Sequence, residues 1–216
     1  MPKMHTATVT ASEQLSPGVV QVTIAFADTF EFKPGQYVTL HFRDGVSRAY
    51  CIASAPQRPQ AVQLAVRLGR GPGSDALRHL SVGEKVEVEE AQGRFTIPEG
   101  DGRDVVFAAG DVGVAPVRSI VLNLRAKGDP RKITVIYDPA DANVIYSGDF
   151  QKMGDAGSIR FLRGPVEEIV PKERESIARS LVMAAGFDPF LARALAQLEA
   201  IGVDRSKVIT ESFGTL

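Results

Sequence analysis

The chain has 216 residues, of which 44% are hydrophobic, and its formal net charge is -1. This length allows one large domain or two of about 100 residues, and the charge gives no basic field for nucleic acid. The single cysteine excludes an internal disulfide, the histidines are too scattered to predict a metal site, and no apolar run approaches the roughly 20 residues that cross a bilayer. Because the N-terminus lacks a signal-peptide core, we expect a cytoplasmic protein.

Short segments of alternating polar and apolar residues, separated by turns, fill the first hundred positions. The clearest of them lie at residues 20–24, 37–40, 62–66 and 85–88. Alternation at this spacing predicts the strands of an antiparallel sandwich or barrel. One short helix is predicted to interrupt them, with Ser74 as its N-cap, Leu80 near its end and Gly83 just beyond.

The second half of the chain alternates strands with helices. Apolar strands are predicted at residues 105–108, 133–136 and 181–184, and amphipathic helices at residues 116–127 and 188–201. Continuous apolar strands between such helices indicate a parallel sheet covered on both faces. In the last helix, Asp188 is the predicted N-cap and Pro189 the first helical residue.

Two motifs in the first half suit a nucleotide with a flat ring. In the heptapeptide RAYCIAS at residues 48–54, Arg48 and Tyr50 face the same way, so a guanidinium can contact phosphate beside a ring that contacts a heterocycle. The segment GPGS at residues 71–74 opens a helix, and a glycine-rich helix N-terminus is a ready anion site. The alternatives are an amphipathic strand with one exposed arginine and a glycine-rich hairpin with an ordinary cap.

These motifs resemble the flavin motifs of the ferredoxin-NADP reductase superfamily, Arg-x-Tyr-Ser-x-x-Ser and Gly-x-x-Ser. Cys51 stands where that family usually directs a serine or threonine hydroxyl at the flavin ring. The resemblance implies a Greek-key β-barrel that binds FAD over residues 1–99, followed by a doubly wound parallel-sheet, NAD(P)-binding-like α/β domain over residues 100–216. The barrel residues implied to contact FAD are Arg48, Ala49, Tyr50, Cys51, Ser54, Val66, Gly71, Gly73 and Ser74.

The loop GDVGVAP at residues 110–116 resembles the loop of the same family that binds a nicotinamide dinucleotide, Gly-Gly-Thr-Gly-Ile-Ala-Pro. In the family's Cys-Gly-Pro segment, Ala185 replaces the cysteine, and in its Tyr-Gly-x-Arg turn, Ala140 replaces the arginine. The residues implied to contact the dinucleotide are Gly110, Val112, Gly113, Pro116 and Gly186.

Asp111 replaces the second glycine of that loop and puts a carboxylate where a diphosphate would lie. At a separation of about 6 Å, the repulsion would be on the order of 1 to 3 kcal/mol, or tenfold to a hundredfold in affinity. A carboxylate at a helix N-terminus is also a good cap, so Asp111 is expected to occupy the anion site itself. The alternative is a turn retained for folding, with nucleotide binding weakened or lost.

The C-terminal segment ITESFG at residues 209–214 resembles the family's closing Glu-x-Phe-Gly. The resemblance implies that Glu211 relays a proton and that Phe213 borders the flavin ring, whereas without it the two would be an edge-strand carboxylate and a core aromatic. Glu211 and Cys51 are therefore the catalytic candidates.

Two functions remain open from the sequence. In the first, NAD(P)H reduces FAD, which passes electrons to an unidentified acceptor, and NADH is favoured because no basic cluster for a 2′-phosphate is evident. In the second, an FAD-bearing electron-transfer or interaction module docks on a protein partner and has weakened or lost NAD(P)H binding. Asp111, Val112, Ala140 and Ala185 favour the second function. Gly113, Pro116 and residues 211–214 favour the first.

Overall fold

The first half of the chain forms an antiparallel sheet of six strands that closes into a barrel. The structure is a computed structural model that describes residues 2–43, 45–139 and 144–215. The strands are β1 (Met4–Ser16), β2 (Val19–Phe26), β3 (Tyr37–His41), β4 (Ser47–Cys51), β5 (Ala61–Arg67) and β6 (Lys85–Glu89). Their order is β4-β3-β6-β1-β2-β5, and a bridge between Ile52 and Leu64 joins the two ends. The predicted antiparallel barrel is confirmed.

The alternation of the strands builds the barrel core. Val22 and Ile24 of β2 are buried together with Leu40 of β3 and Val88 of β6, because successive side chains of a strand point to opposite faces. The helix α1 (Pro72–His79) joins this core through Leu77 and lies between β5 and β6 in the chain.

The second half forms a parallel sheet of five strands. These are β7 (Val105–Gly110), β8 (Ile133–Asp138), β9 (Arg160–Arg163), β10 (Leu181–Gly186) and β11 (Ile209–Ser212). The helices are α2 (Val114–Ala126), α3 (Ser147–Asp155), α4 (Val166–Ile169), α5 (Arg174–Ile177) and α6 (Asp188–Ala200), with 3-10 turns at Asp111–Gly113, Val170–Glu173 and Arg205–Lys207. The strand order is β11-β10-β7-β8-β9. The chain adds β8 and β9 on one side of β7 and then returns to add β10 and β11 on the other side, so the switch point lies between β7 and β10. This is the predicted doubly wound sheet.

Helices cover both faces of the parallel sheet, so every residue of β7 and β10 is buried. The helix α2 packs Ile120 and Val121 beside Phe107 on one face, and α6 packs Leu195 and Leu198 on the other. This burial on both sides explains why the strands have unbroken apolar sequences instead of alternating ones.

The helix starts differ from the prediction. The helix α1 begins at Pro72 with Gly71 as its N-cap, and the Ser74 hydroxyl accepts a hydrogen bond from the Gly69 amide at 2.9 Å. The predicted N-cap role of Ser74 is therefore wrong. Proline suits the first helical position because it lacks the amide that would need a partner there.

The starts of the other two predicted helices shift in the same direction. The helix α2 begins at Val114, two residues before the predicted Pro116. The helix α6 begins at Asp188 with Phe187 as its N-cap, so the predicted N-cap role of Asp188 is also wrong. The Asp188 carboxylate instead accepts a hydrogen bond from the Ser212 hydroxyl.

The two halves share a hydrophobic core. Phe95 of the first half is buried in the same cluster as Ile120 of α2. Arg118 Nη1 donates to the Ala53 carbonyl oxygen at 2.9 Å, and Ser119 Oγ donates to the Ser54 carbonyl oxygen at 2.6 Å. These contacts fix α2 against the barrel. The boundary between residues 99 and 100 stays a proposal.

Among the described residues, no helix is both long enough and apolar enough to cross a membrane. Nor does that part of the chain contain a group of three or more His, Cys, Asp or Glu side chains that could hold a metal ion.

We expect Gly113→Ala to destabilise the fold, because its Cβ would lie 2.1 Å from the Ala185 carbonyl oxygen. Such overpacking against backbone costs about 1–3 kcal/mol. The matched control is Gly148→Ala in α3, where a Cβ meets open space and gains up to about 1 kcal/mol of helix propensity. Denaturant unfolding measures both variants, and a Gly113→Ala variant as stable as wild type would contradict the close approach of α2 to β10.

Candidate active site

A cavity of about 450 Å³ lies where the barrel meets the last strand of the parallel sheet. Its lining residues are Tyr37, Ala49, Tyr50, Cys51, Ala65, Val66, Arg67, Val112, Phe187, Glu211, Ser212 and Phe213. A volume of this size, with apolar walls and a few polar groups, is typical of small-molecule and cofactor sites. The cavity therefore brings together the predicted residues Ala49, Tyr50, Cys51, Val66, Val112, Glu211 and Phe213.

Both halves of the fold contribute walls to this cavity. The strand β4 presents Tyr50 and Cys51, and Cys51 pairs with Tyr37 on the neighbouring β3. From the other half, β11 presents Glu211, and the Phe213 ring contacts the Phe187 ring edge-on with centroids 5.7 Å apart. The two phenylalanine rings thus line the cavity together with Tyr50 of β4.

The pKa is raised at three ionisable groups of the cavity, those of Tyr50, Cys51 and Glu211. Burial raises the pKa of the Cys51 thiol well above its usual range, and the negative charge of Glu211 raises it further. Burial also raises the pKa of Tyr50, although Arg48 opposes this effect. Loss of water around Glu211 raises the pKa of its carboxyl. The arrangement therefore offers a neutral thiol and phenol beside a carboxyl group that accepts a proton more readily than an exposed one.

A candidate phosphate site lies at the start of α1, where Gly73 packs against Arg48. A Cβ on Gly73 would lie 2.7 Å from Arg48 Cγ and 2.9 Å from Arg48 Nε, so only glycine lets the first turn lie this close to the arginine. Arg48 is exposed, and its Nη1 donates to the Ser47 carbonyl oxygen at 2.8 Å. Gly71 adopts a φ of 108°, which favours glycine. These residues fit a pyrophosphate, because a cation faces the free amides of a helix start.

Ser54, also predicted to contact FAD, does not line the cavity. Its hydroxyl accepts a hydrogen bond from the Gln63 amide at 3.0 Å, and its carbonyl oxygen accepts one from Ser119. The contacts of Ser54 therefore hold the barrel together and join it to α2.

Asp111 is buried, and its carboxylate forms an ion pair with Nε of Arg67, the last residue of β5. Its φ of 53° is the left-handed conformation that aspartate tolerates better than most residues. No side chain caps α2, so the expected capping role of Asp111 is wrong. The carboxylate pairs with a barrel cation instead, and this pairing offsets the charge that was expected to repel a diphosphate. Nearby, burial raises the pKa of Tyr137 to about 12.

The glycines of the predicted nucleotide loop make close packing contacts. A Cβ on Gly110 would lie 2.2 Å from the Phe190 ring, and one on Gly186 would lie 2.7 Å from it. Gly113 approaches the backbone of Ala185, and Pro116 is buried within α2. Packing alone accounts for these three glycines, so their presence is not in itself evidence of a bound nucleotide.

A smaller cavity of about 170 Å³ lies between the ends of β7 and β10, at the switch point of the sheet. Arg193 lines it, donating to Asp138 at 2.8 Å and to Glu167 at 3.0 Å. Neither Arg193 nor Arg67 was predicted from the sequence. The available signal for Arg67 was its position at the end of β5, directly after an apolar run. Ala140 lies outside the described residues.

We expect Glu211→Gln to stabilise the flavin-free chain at about pH 8, because the variant buries no charge. Glu211 has a higher pKa in the folded chain than in the unfolded chain, where it is about 4.3. The wild type therefore loses stability as the pH rises from the unfolded pKa through the folded pKa. The advantage of the variant should therefore shrink at about pH 4. The free energy of unfolding is measured at both pH values, with Glu175→Gln at an exposed position as the control. An equal advantage of Glu211→Gln at the two pH values would contradict the prediction.

We expect Asp111→Asn to destabilise the chain by up to about 3–5 kcal/mol, because it leaves the largely buried Arg67 without its counter-charge. Arg67→Met combined with Asp111→Asn should cost clearly less than the sum of the single changes. The control is Glu199→Gln, which removes an exposed pair with Arg205 and should cost less than about 1 kcal/mol. Unfolding free energies that add within about 0.5 kcal/mol would show that the two residues do not interact.

Comparison with known proteins agrees with this geometry. Residues 6–97 match the family described as Oxidoreductase FAD-binding domain. The phenol 2-monooxygenase reductase component DmpP of Pseudomonas sp. (strain CF600) is 33% identical over 143 residues, which cover 64% of this chain and 40% of that protein. The propane 2-monooxygenase reductase component of Rhodococcus jostii (strain RHA1) is 25% identical, over 95% of this chain and 62% of its own length. This chain spans less than two thirds of either relative.

Solved structures share the whole two-part architecture. The Amycolatopsis cytochrome P450 reductase GcoB has a TM-score of 0.85 at 21% identity, covering 98% of this chain and 70% of its own. The ferredoxin-NADP+ reductase of Plasmodium falciparum has a TM-score of 0.85 at 15% identity, covering 97% of this chain and 96% of its own. The predicted resemblance is confirmed: residues 6–97 match the oxidoreductase FAD-binding domain family, and the whole chain has the fold of the ferredoxin-NADP reductases.

Proposed function

We propose that this chain is an FAD-dependent oxidoreductase that passes electrons from NAD(P)H through the flavin to an acceptor protein. The cavity carries this proposal, because Tyr50 and Cys51 of the barrel face Glu211 and Phe213 of the other half across it. A flat heterocycle needs such a slot, with aromatic borders and a few polar groups. The similarity to reductase components of oxygenases supports an acceptor that is itself a protein.

Each part of the site has a role in this function. Tyr50 and Phe213 would border the flavin ring, while Arg48 and the start of α1 would hold the pyrophosphate. When bound, FAD supplies the acceptance of hydride and the release of electrons singly or in pairs. The chain provides the surroundings: Cys51 keeps its proton and offers a weak hydrogen bond, and Glu211 is placed to take up and release a proton.

The test is flavin reduction under anaerobic conditions. The FAD-loaded chain is mixed with excess NADH or NADPH in a stopped-flow instrument, and the absorbance of the oxidised flavin is followed. We expect bleaching by both nucleotides, faster with NADH, and dithionite serves as the control for complete reduction. Bleaching by dithionite with none by either nucleotide would exclude NAD(P)H as the electron donor.

A second candidate is an FAD-bearing module that docks on a protein and has weakened or lost NAD(P)H binding. Ion pairs near the predicted nucleotide loop favour this second function. Asp111 pairs with Arg67, and Arg193 pairs with both Asp138 and Glu167. A diphosphate must compete with these acids for either cation. If dithionite alone bleaches the wild type, we expect Asp111→Gly, which frees Arg67, to restore reduction by NADH.

We also infer a cytoplasmic location. The similarity to reductase components of oxygenases supports this location, and the single cysteine of the chain fits a protein that needs no internal disulfide.

A further inference from the structure

Ser47, His41 and Glu89 form a hydrogen-bonded series on the outer face of the barrel. Ser47 Oγ lies 2.8 Å from His41 Nδ1, and His41 Nε2 lies 2.9 Å from Glu89 Oε1. Gln92 Nε2 donates to the other carboxylate oxygen of Glu89 at 2.8 Å. These four residues lie outside the lining of the cavity described above.

The pairing of three strands brings these side chains together. His41 of β3 pairs with Ser47 of β4 on one side and with Glu87 of β6 on the other. Directly paired residues have Cβ atoms about 4.5–5.5 Å apart, which allows the contact between the serine and the imidazole. Glu89 lies two residues beyond Glu87, so it shares the outward face and reaches His41 diagonally. The register of the strands therefore fixes the arrangement.

The hydrogen bonds assign a role to each group. A carboxylate only accepts hydrogen bonds, so His41 Nε2 carries the hydrogen that bonds to Glu89. In the neutral ring this leaves a lone pair on Nδ1, and the Ser47 hydroxyl donates to it. A hydroxyl bonded to an imidazole that a third group orients is the pattern of an activated nucleophile.

The surroundings of the hydroxyl suit such a reaction. The His41 side chain is 35% exposed, whereas that of Glu89 is only 17% exposed, so the base is open to solvent and its partner is shielded. Arg48 Nη1 donates to the Ser47 carbonyl oxygen at 2.8 Å, which places a guanidinium beside the serine. Its charge favours the negative oxygen that forms when a hydroxyl adds to a carbonyl group.

We propose that Ser47 is the nucleophile of a second, hydrolytic activity on small activated carboxylic esters, with His41 as general base and Glu89 as the positioning residue. Because the imidazole is open to solvent, the site suits small esters with a good leaving group. This activity does not involve the flavin, so it is independent of the proposed function.

The reaction balances in two steps. Ser47 Oγ bonds to the carbonyl carbon, its proton moves to His41 Nδ1, and the alcohol leaves with that proton as the ester C–O bond breaks. Water then adds to the acyl-serine with His41 again as base, which releases the acid and restores the hydroxyl. In both steps, Glu89 holds the Nε2 hydrogen and stabilises the positively charged ring.

The test is labelling of the purified chain by a fluorophosphonate, in which the serine oxygen displaces fluoride from phosphorus. Peptide mass spectrometry measures the rate at which Ser47 gains the adduct, and release of p-nitrophenolate from p-nitrophenyl acetate measures ester cleavage. We expect both in the wild type, and Ser47→Ala should lose the adduct and most of the ester cleavage. The matched control is Ser12→Ala, at an exposed serine of β1, and it should keep both.

Two further variants test the base and its partner. His41→Asn keeps an acceptor for the Ser47 hydroxyl but no base, so labelling should slow at least about a hundredfold, the usual contribution of general-base catalysis. Glu89→Gln keeps the shape of the side chain and removes its charge, so labelling should slow at least about tenfold. A merely structural role of Glu89 would leave the labelling rate unchanged.

Three outcomes would overturn the proposal. They are a wild type without an adduct on Ser47, labelling of His41→Asn at the wild-type rate, and ester cleavage that persists in full in Ser47→Ala. Flavin bleaching by NADH is measured on the same preparations. Normal bleaching without labelling of Ser47 would remove the hydrolytic site alone, whereas labelling without bleaching would support it and contradict only the use of NADH.

Discussion

The cavity requires the two halves of the chain to stay at a fixed separation. The largely buried ion pair between Arg67 and Asp111 is a charged contact across their junction. Arg67 ends the barrel strand β5, and Asp111 follows the parallel strand β7. Charges removed from water need a partner, so each residue makes the position of the other favourable. With the hydrogen bonds from α2 to Ala53 and Ser54, this pair keeps β4 and β11 on opposite sides of one space.

The glycines of the two predicted binding loops differ in what surrounds them. Gly110, Gly113 and Gly186 lie against a ring or backbone of their own half, so the fold needs them whether or not a nucleotide binds. Gly73 instead lies against the side chain of Arg48, an exposed cation on another element. A glycine that brings a helix start close to a cation is better evidence of an anion site than one that packs against a core ring.

The sequence could predict cavity residues that lie two apart on one strand, such as Ala49 and Cys51, because the two-residue period of a strand points them the same way. It could not predict the pairing of Arg67 with Asp111, since the two lie 44 residues apart and only the fold brings them together. The bonding of Ser54, which was predicted to contact the flavin, also depends on the fold. Its hydroxyl bonds to a neighbouring strand, a choice that no local pattern determines.

The protonated state of Cys51 has a practical consequence for spectroscopy. Maleimides and haloacetamides react with thiolates, and burial together with the Glu211 charge keeps the thiolate of Cys51 scarce at neutral pH. Because the chain has no other cysteine, one introduced at an exposed position such as Val82 would take a dye or spin label selectively. Two such positions, one on the barrel and one on the parallel sheet, would report the distance between the halves with Cys51 still in place.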